Sequence, residues 1–414
     1  MMKRSLAGAA CGLMLASAGS VFAGAGFVGS ALAQEKTIKV GVLTDMSGPY
    51  GDVGGAGSAV AAQMAIEDSG MLAKGWKIDL ISADHQNKAD VGSNLAREWI
   101  DQGKADVFLD LLTSSVALAV NQIVKEKNKV LLISGAASSD LTGKACSSNT
   151  IHWTYDTFAL ANSTGKAITK AGGDSWFFVT ADYAFGKALE RDTTAVVVAN
   201  GGKVIGDVMA PLNNADFSSQ LLQAQSSKAK VVGLANAGAD TANSIKQAAE
   251  FGLTQGGQKL AALLMFITDV NALGLPAAQG LEFTESFYWD LNDKTRDFAN
   301  RYSKRVKNGA KPTMVQAGVY SSLIHYLKAV ESLGPTTDGA AIVSTMKAMP
   351  TDDEAMGSGY IRQDGRKIHP VYLLQVKKPS ESKYPWDYAS VVATIPGEEA
   401  FRPLAQSECP LVTK

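Results

Sequence analysis

The chain has 414 residues, 46% of them hydrophobic, with 39 basic residues against 40 acidic ones. That length is more than one compact core usually holds and suits two α/β lobes. The near-neutral, slightly acidic balance argues against nucleic acid as a partner.

The chain opens Met1-Met2-Lys3-Arg4 and then runs through Ala, Gly, Leu, Val and Phe without another charge until Glu35. A short basic start, a weakly apolar middle and a small-residue cleavage site predict a secretory signal peptide over residues 1–33. Cleavage after Ala33 is preferred to cleavage after Ala23, because the chain turns polar at Gln34 and a strand follows at once. No other run approaches the ~20 apolar residues that a membrane span needs, so the protein is expected not to span a membrane. Losing the leader leaves Cys146 and Cys409. In an oxidising compartment such a pair predicts a disulfide; two separate buried thiols are the alternative.

From residue 38, short β-branched runs alternate with longer helical patterns. The strand candidates are IKVGVL, KIDLIS, DVFLDL and KVLLIS, then SWFFVT, KVIGDVM, KVVGLAN and LAALLMF. Strands that are apolar nearly throughout are what a parallel sheet covered on both faces requires. The intervening segments carry apolar residues at i, i+3, i+4 spacing, and several end at Gly. The fold class is therefore doubly wound α/β. The rhythm breaks at the aromatic-rich stretches TIHWTYDTF and GLEFTESFYWDL, and two more helices follow. GYIRQDGRKIHPVYLLQVK then reads as a hairpin with Asp364-Gly365 at its turn. Chain crossovers near residues 155, 286 and 360 divide the chain into two discontinuous lobes. Residues 34–155 plus 287–360 form the first, and 156–286 plus 361–414 the second.

The pieces IKVGVLTDMSGPYG, ADHQNKADVGSNLAREWI, LLTSSVALAVNQI, LLISGAASSDLT, FVTADYAFGKAL and MVQAGVYSSLIHYLKAV occur in an order that resembles the class I periplasmic binding proteins. Within that class the resemblance is to the leucine/isoleucine/valine-binding family of ABC-transporter components, and it runs from Ile38 to about Val376. It implies two parallel-sheet lobes joined by three crossovers, a periplasmic location and no catalysis. It also implies a small carboxylate-bearing ligand captured by hinge closure, and ABC-transporter permease subunits as partners. The stretches FYWDLND and KKPSESKYPWDY are similar to a subgroup that includes importers of aromatic and other organic acids.

In open α/β sheets, ligands bind beyond the carboxyl ends of the strands. Strand VFLDLL ends in Thr113-Ser114-Ser115, with a helix expected from Val116. Hydroxyls beside the free N–H groups of a helix start form an anion site; plain N-capping by Ser114 or Ser115 is the alternative. After KVLLIS comes Gly135-Ala136-Ala137-Ser138-Ser139. There the resemblance implies a backbone group from Ala136 and a hydroxyl from Ser138 for the same carboxylate. Tyr50, in the first βα loop, is placed to close over one side. From the second lobe, the resemblance implies an aromatic contact at Tyr183 or Phe185, and Phe266 offers an apolar wall. Trp153, Tyr155, Tyr288 and Trp289 are expected to pack at the hinges. The family's amino-acid binders use a second-lobe acid to pair the ligand ammonium. Asp240 and Asp269 are the candidates, and neither falls clearly on the acidic position.

Gly55-Ala56-Gly57-Ser58-Ala59-Val60 is a broken dinucleotide fingerprint, because the loop from Ser47 to Gly54 separates it from the strand. The four histidines lack metal-ligand spacing, and neither a G-x-S-x-G elbow nor an H-E-x-x-H motif occurs. No cofactor is expected. The competing functions are a ligand-sensing periplasmic regulator of the same fold and, less well matched, a secreted NAD-dependent oxidoreductase.

Overall fold

Strands buried at every residue need cover on both faces, and β3 (Val107–Asp110), β4 (Val130–Ile133), β6 (Ser175–Ala181) and β8 (Val231–Ala235) are of this kind. The computed structural model describes residues 35–413, so the expected leader at 1–33 lies outside the described residues. The first sheet adds β1 (Thr37–Thr44), β2 (Lys77–Asp84) and β5 (Thr150–His152), in the order β2-β1-β3-β4-β5. The second adds β7 (Lys203–Ala210) and β9 (Lys259–Ala262), in the order β7-β6-β8-β9. Every pairing in both sheets is parallel. Helices α1 (Gly55–Asp68), α2 (Ala89–Asp101) and α3 (Ser114–Glu126) cross between strands of the first sheet.

Between β5 and β6 the chain forms α4 (Thr157–Leu160), a π turn over Ala161–Gly165, and α5 (Lys166–Lys170). Helices α6 (Ala184–Ala199), α7 (Ser218–Ser226) and α8 (Ala239–Glu250) serve the second sheet. After β9 come α9 (Ile267–Leu273), α10 (Leu275–Ala278) and β10 (Glu282–Glu285). The chain then returns through α11 (Asp293–Ser303) and α12 (Met314–Leu333).

Helix α12 packs along α1, and Gly57 leaves room for side chains from both α11 and α12. A Cβ there would strike the Tyr302 hydroxyl and the Gln316 amide. Gly57 therefore serves helix packing, whereas Gly55 serves the turn into α1 at φ +50°. Helix α13 (Gly339–Ala348) was not legible from periodicity, nor was the helical stretch over 157–170.

The hairpin turns at Asp364-Gly365 as expected, with Gly365 at φ +82° and the Arg362 N–H donating to the Arg366 carbonyl at 2.9 Å. Its arms are shorter than the sequence implied: β11 (Tyr360–Ile361) pairs only with β12 (Lys367–Ile368). Pro370, which lacks an N–H, separates β12 from β13 (Val371–Val376). Strand β13 instead lies between β10 and β14 (Ala389–Ile395) in a three-stranded antiparallel sheet.

Cys146 and Cys409 are joined as a disulfide with a Cα–Cα distance of 5.6 Å. The tail that carries Cys409 buries Phe401, whose ring lies 4.6 Å from the Arg366 guanidinium. Among the described residues, no helix is long and apolar enough to cross a membrane.

Candidate functional site

Parallel strands aim their carboxyl ends the same way, and the loops leaving both sheets converge on one small cavity. From the first sheet come Tyr50 and Val53 after β1, Leu112 after β3, Gly135 and Ala137 after β4, and Tyr155 after β5. From the second come Tyr183 and Phe185 after β6, Ala237 after β8, and Leu264 and Phe266 after β9. The lining carries no charged side chain. Four of the residues expected from the sequence stand in this wall: Tyr50, Tyr183, Phe185 and Phe266.

The remaining expected residues lie behind the wall. Helix α3 begins at Ser114, two residues before the expected Val116, and its N-cap is Thr113, whose side chain makes no capping bond. The Thr113 hydroxyl donates instead to the Asn87 side-chain carbonyl. The Ser114 hydroxyl accepts the Ser138 N–H at 3.1 Å, which ties the two loops together. Ser138 accepts the Asp140 N–H at 3.4 Å and caps a short helical turn. Ser115 is half-buried in the first turn of α3, and Ala136 is buried beside the lining residues Gly135 and Ala137.

Asp240 is buried and its two oxygens accept the N–H groups of Asn213 and Asn214, at 3.0 and 2.9 Å. Asp269 accepts the Phe266 N–H at 2.9 Å. Both acids are thus already used to hold loops.

Seven lining residues were missed: Val53, Leu112, Gly135, Ala137, Tyr155, Ala237 and Leu264. Tyr155 had been assigned to hinge packing. It lies directly beyond the end of β5, its hydroxyl donates to the Gly135 carbonyl at 2.8 Å, and its ring meets Phe266 edge-on at 6.0 Å. Applying the strand-end rule to the edge strand would have found it.

The N–H groups of Ser114 and Ser115 open α3, where helix geometry provides no acceptor. Those of Ala136 and of the lining residue Ala137 have no acceptor among the described residues. Two consecutive left-handed residues, Asp110 at φ +79° and Leu111 at φ +53°, turn the chain between β3 and α3. Such conformations cost of order 1–3 kcal/mol each in non-glycine residues; the residue that follows them, Leu112, lines the cavity.

Burial sets the electrostatics. Desolvation pushes the carboxyls of Asp110 and Asp240 up to about 6 and that of Asp269 up to about 7. Glu285, buried with no partner for either oxygen among the described residues, is pushed well above the usual carboxylate range. The phenols of Tyr50 and Tyr155 are held neutral for the same reason.

Besides the Tyr155–Phe266 ring contact, the two sets of loops are joined by hydrogen bonds. The Tyr50 and Tyr183 hydroxyls are 2.7 Å apart, and the Ala239 N–H donates to the Pro49 carbonyl at 3.3 Å. Gly238 sits at this contact with φ +58°; a Cβ there would lie 2.7 Å from the Pro49 carbonyl oxygen and 2.8 Å from the Tyr50 ring.

Two parallel sheets whose strand ends enclose a small uncharged cavity define a binder of small molecules. Residues 37–383 match the family of periplasmic binding proteins, and the chain belongs to that family. It is similar to a periplasmic binding protein from Burkholderia mallei, 52% identical with a TM-score of 0.88, over 91% of this chain and 100% of that one. A branched chain amino acid ABC transporter periplasmic ligand-binding protein from Burkholderia xenovorans is 40% identical with a TM-score of 0.80, over 90% and 99%. The Leu/Ile/Val-binding protein homolog 6 of Brucella melitensis is 25% identical over 356 residues, 84% of this chain and 89% of its own length. The protein is a solute-binding component of the branched-chain amino acid ABC-transporter type, not an enzyme.

Proposed function

We propose that the ligand is a small aromatic carboxylate, held with its ring among Tyr155, Tyr183, Phe185 and Phe266 and its carboxylate at the start of α3. The observation that carries this reading is the pairing of an aromatic wall with unused N–H groups, while Asp240 and Asp269 are both taken by main-chain donors. Neither of the acids expected to meet an amino acid's ammonium group, Asp240 and Asp269, is free to do so. Thr113, Ser114, Ser115, Ala136 and Ser138 act through the main chain they position, and Asp240 through the loop it holds.

Thermal unfolding against a panel of acids tests the ligand class. A ligand at 100 times its Kd adds about 2.7 kcal/mol, which raises the midpoint of a protein this long by about 3 °C. Benzoate and its ring-substituted relatives are expected to give that shift, and leucine and valine none. A shift with leucine alone would overturn the reading.

The proposal includes hinge closure between a lobe of residues 34–155 plus 287–360 and one of 156–286 plus 361–414, followed by delivery to the permease subunits of a periplasmic importer. Export through a leader cleaved after Ala33 goes with it. Closure would form the Tyr50–Tyr183 hydrogen bond. Tyr183→Phe removes it and is expected to weaken ligand binding by about fivefold, the worth of about 1 kcal/mol. Small-angle scattering should show ligand-induced compaction in the wild type and less in the variant. No compaction with a bound ligand would refute closure.

A further inference from the structure

We infer that Asp110 is a proton-linked positioning residue, so that each ligand carboxylate is captured together with one proton. This rests on the carboxylate reading above.

Asp110 ends β3 and is fully buried. One carboxyl oxygen accepts the Thr44 hydroxyl at 2.7 Å, while Oδ1 has no partner among the described residues. That free oxygen lies directly behind the cavity wall. A Cβ built on Gly135, which lines the cavity, would stand 2.6 Å from it and 2.8 Å from the Cα of Leu112. Gly135, a lining residue, therefore packs against the Asp110 carboxyl, with the lining residue Leu112 beside it. Gly54 lies on the other side, where a Cβ would approach Oδ2 at 2.8 Å. Side chains at either glycine would push the carboxyl out of place.

The same residue begins the left-handed turn that leads into α3, three residues before its N-cap. An ionised Asp110 would stand close to the positive end of that helix and compete with the ligand for it. It would also repel a ligand carboxylate across a dry, low-dielectric gap. A neutral Asp110 leaves the helix end to the ligand. The titratable groups that act on it are Asp45 beyond β1, Tyr155 after β5 and Tyr302 on α11, with Ser58 of α1 and Thr44 as neutral neighbours. None is a cation. Burial holds the carboxyl at about 6, inside the range where a periplasmic protein titrates.

The linkage has a definite sign. If the ligand binds only the protonated form, affinity is flat below pH 6 and falls by up to about tenfold for each pH unit above it.

Isothermal titration calorimetry with benzoate from pH 5 to pH 8, in buffers of different ionisation enthalpy, tests this on the mature protein. The wild type is expected to lose at least tenfold in affinity between pH 5.5 and pH 8 and to take up close to one proton per benzoate at pH 7.5. Asp110→Asn, uncharged at every pH, is expected to bind with a flat pH profile and no proton uptake. Benzoate binding in the wild type without proton uptake would overturn the inference while leaving the carboxylate reading intact. The inference would also be overturned if the asparagine variant kept the wild-type pH profile. Failure of benzoate and related acids to bind at any pH would overturn both. Should Asp110→Asn not fold, the wild-type proton count still decides.

Discussion

Replacing both Cys146 and Cys409 by serine is expected to lower the stability of the mature protein by about 5 kcal/mol, on the loop-entropy account of cross-linking. The two cysteines lie 263 positions apart, so the disulfide closes most of the described chain into a ring and removes many conformations from the unfolded state. On the folded side, the tail has further anchors that the variant keeps. Phe401 packs on Arg366, and the Arg402 guanidinium lies 4.7 Å from the Phe158 ring and 3.3 Å from Asp192. The double variant should therefore still fold, with its urea midpoint shifted down and its slope little changed. Denaturation of wild type and variant, with and without reductant, checks this. A loss under about 1 kcal/mol would mean that the unfolded chain is already compact enough for the cross-link to matter little.

Asp156→Ala is the second large effect. Asp156 is buried, 3.5 Å from the fully buried guanidinium of Arg366, and it also caps α4 by accepting the Ala159 N–H at 2.8 Å. Arg366 donates to the carbonyls of Thr154, Tyr155 and Lys367. Desolvation outweighs pairing on both partners, pulling the guanidinium down to about 10 and pushing the carboxyl of Asp156 up. The intact pair is therefore a weak source of stability, yet removing one member strands a buried charge, at about 3–5 kcal/mol. The lost cap adds about 1 kcal/mol.

Because the folded state binds the Asp156 proton more tightly than the unfolded state does, its contribution favours the fold at low pH. That contribution is lost as the pH rises through the raised value. The destabilisation by Asp156→Ala should thus vary with pH, and Asp156→Asn, which can still accept the cap bond, should cost less. Chemical denaturation of the three proteins at pH 5 and pH 8 provides the comparison. Equal stability of Asp156→Ala and the wild type would refute the account.

Both sheets were readable because β3, β4, β6 and β8 are apolar nearly throughout, Asp110, Ser175 and Thr180 being the polar positions, a pattern that two-sided cover explains. The cavity was readable to the level of its loops, and less well to the level of side chains. Composition points to the segment after β3, but the left-handed pair Asp110-Leu111 rotates the chain so that Leu112, not Thr113, faces inward. Nothing in the local sequence announces two non-glycine residues in that conformation. The hydroxyls of Ser114 and Ser138 were assigned outward to a ligand; the Ser114 hydroxyl accepts the Ser138 N–H and ties the two loops together, and the Ser138 hydroxyl caps its own turn. That pairing joins residues 24 positions apart, and no periodicity carries it. Asp240 and Asp269 were open candidates for the same reason, since their main-chain donors come from packing.

The contact at Gly238 and Ala239 has a consequence for how such a protein diversifies. Pro49 is met there through its carbonyl, by a peptide N–H and by a residue without a side chain. If the lobes close as proposed, a clasp made of backbone is blind to chemistry and would shut identically over any cargo that fits beneath it. Substitutions in the aromatic wall would then retune what is carried without redrawing the outline offered to the proposed permease partners. Any side chain at position 238 would act as a doorstop, leaving an intact pocket that those partners would never meet closed.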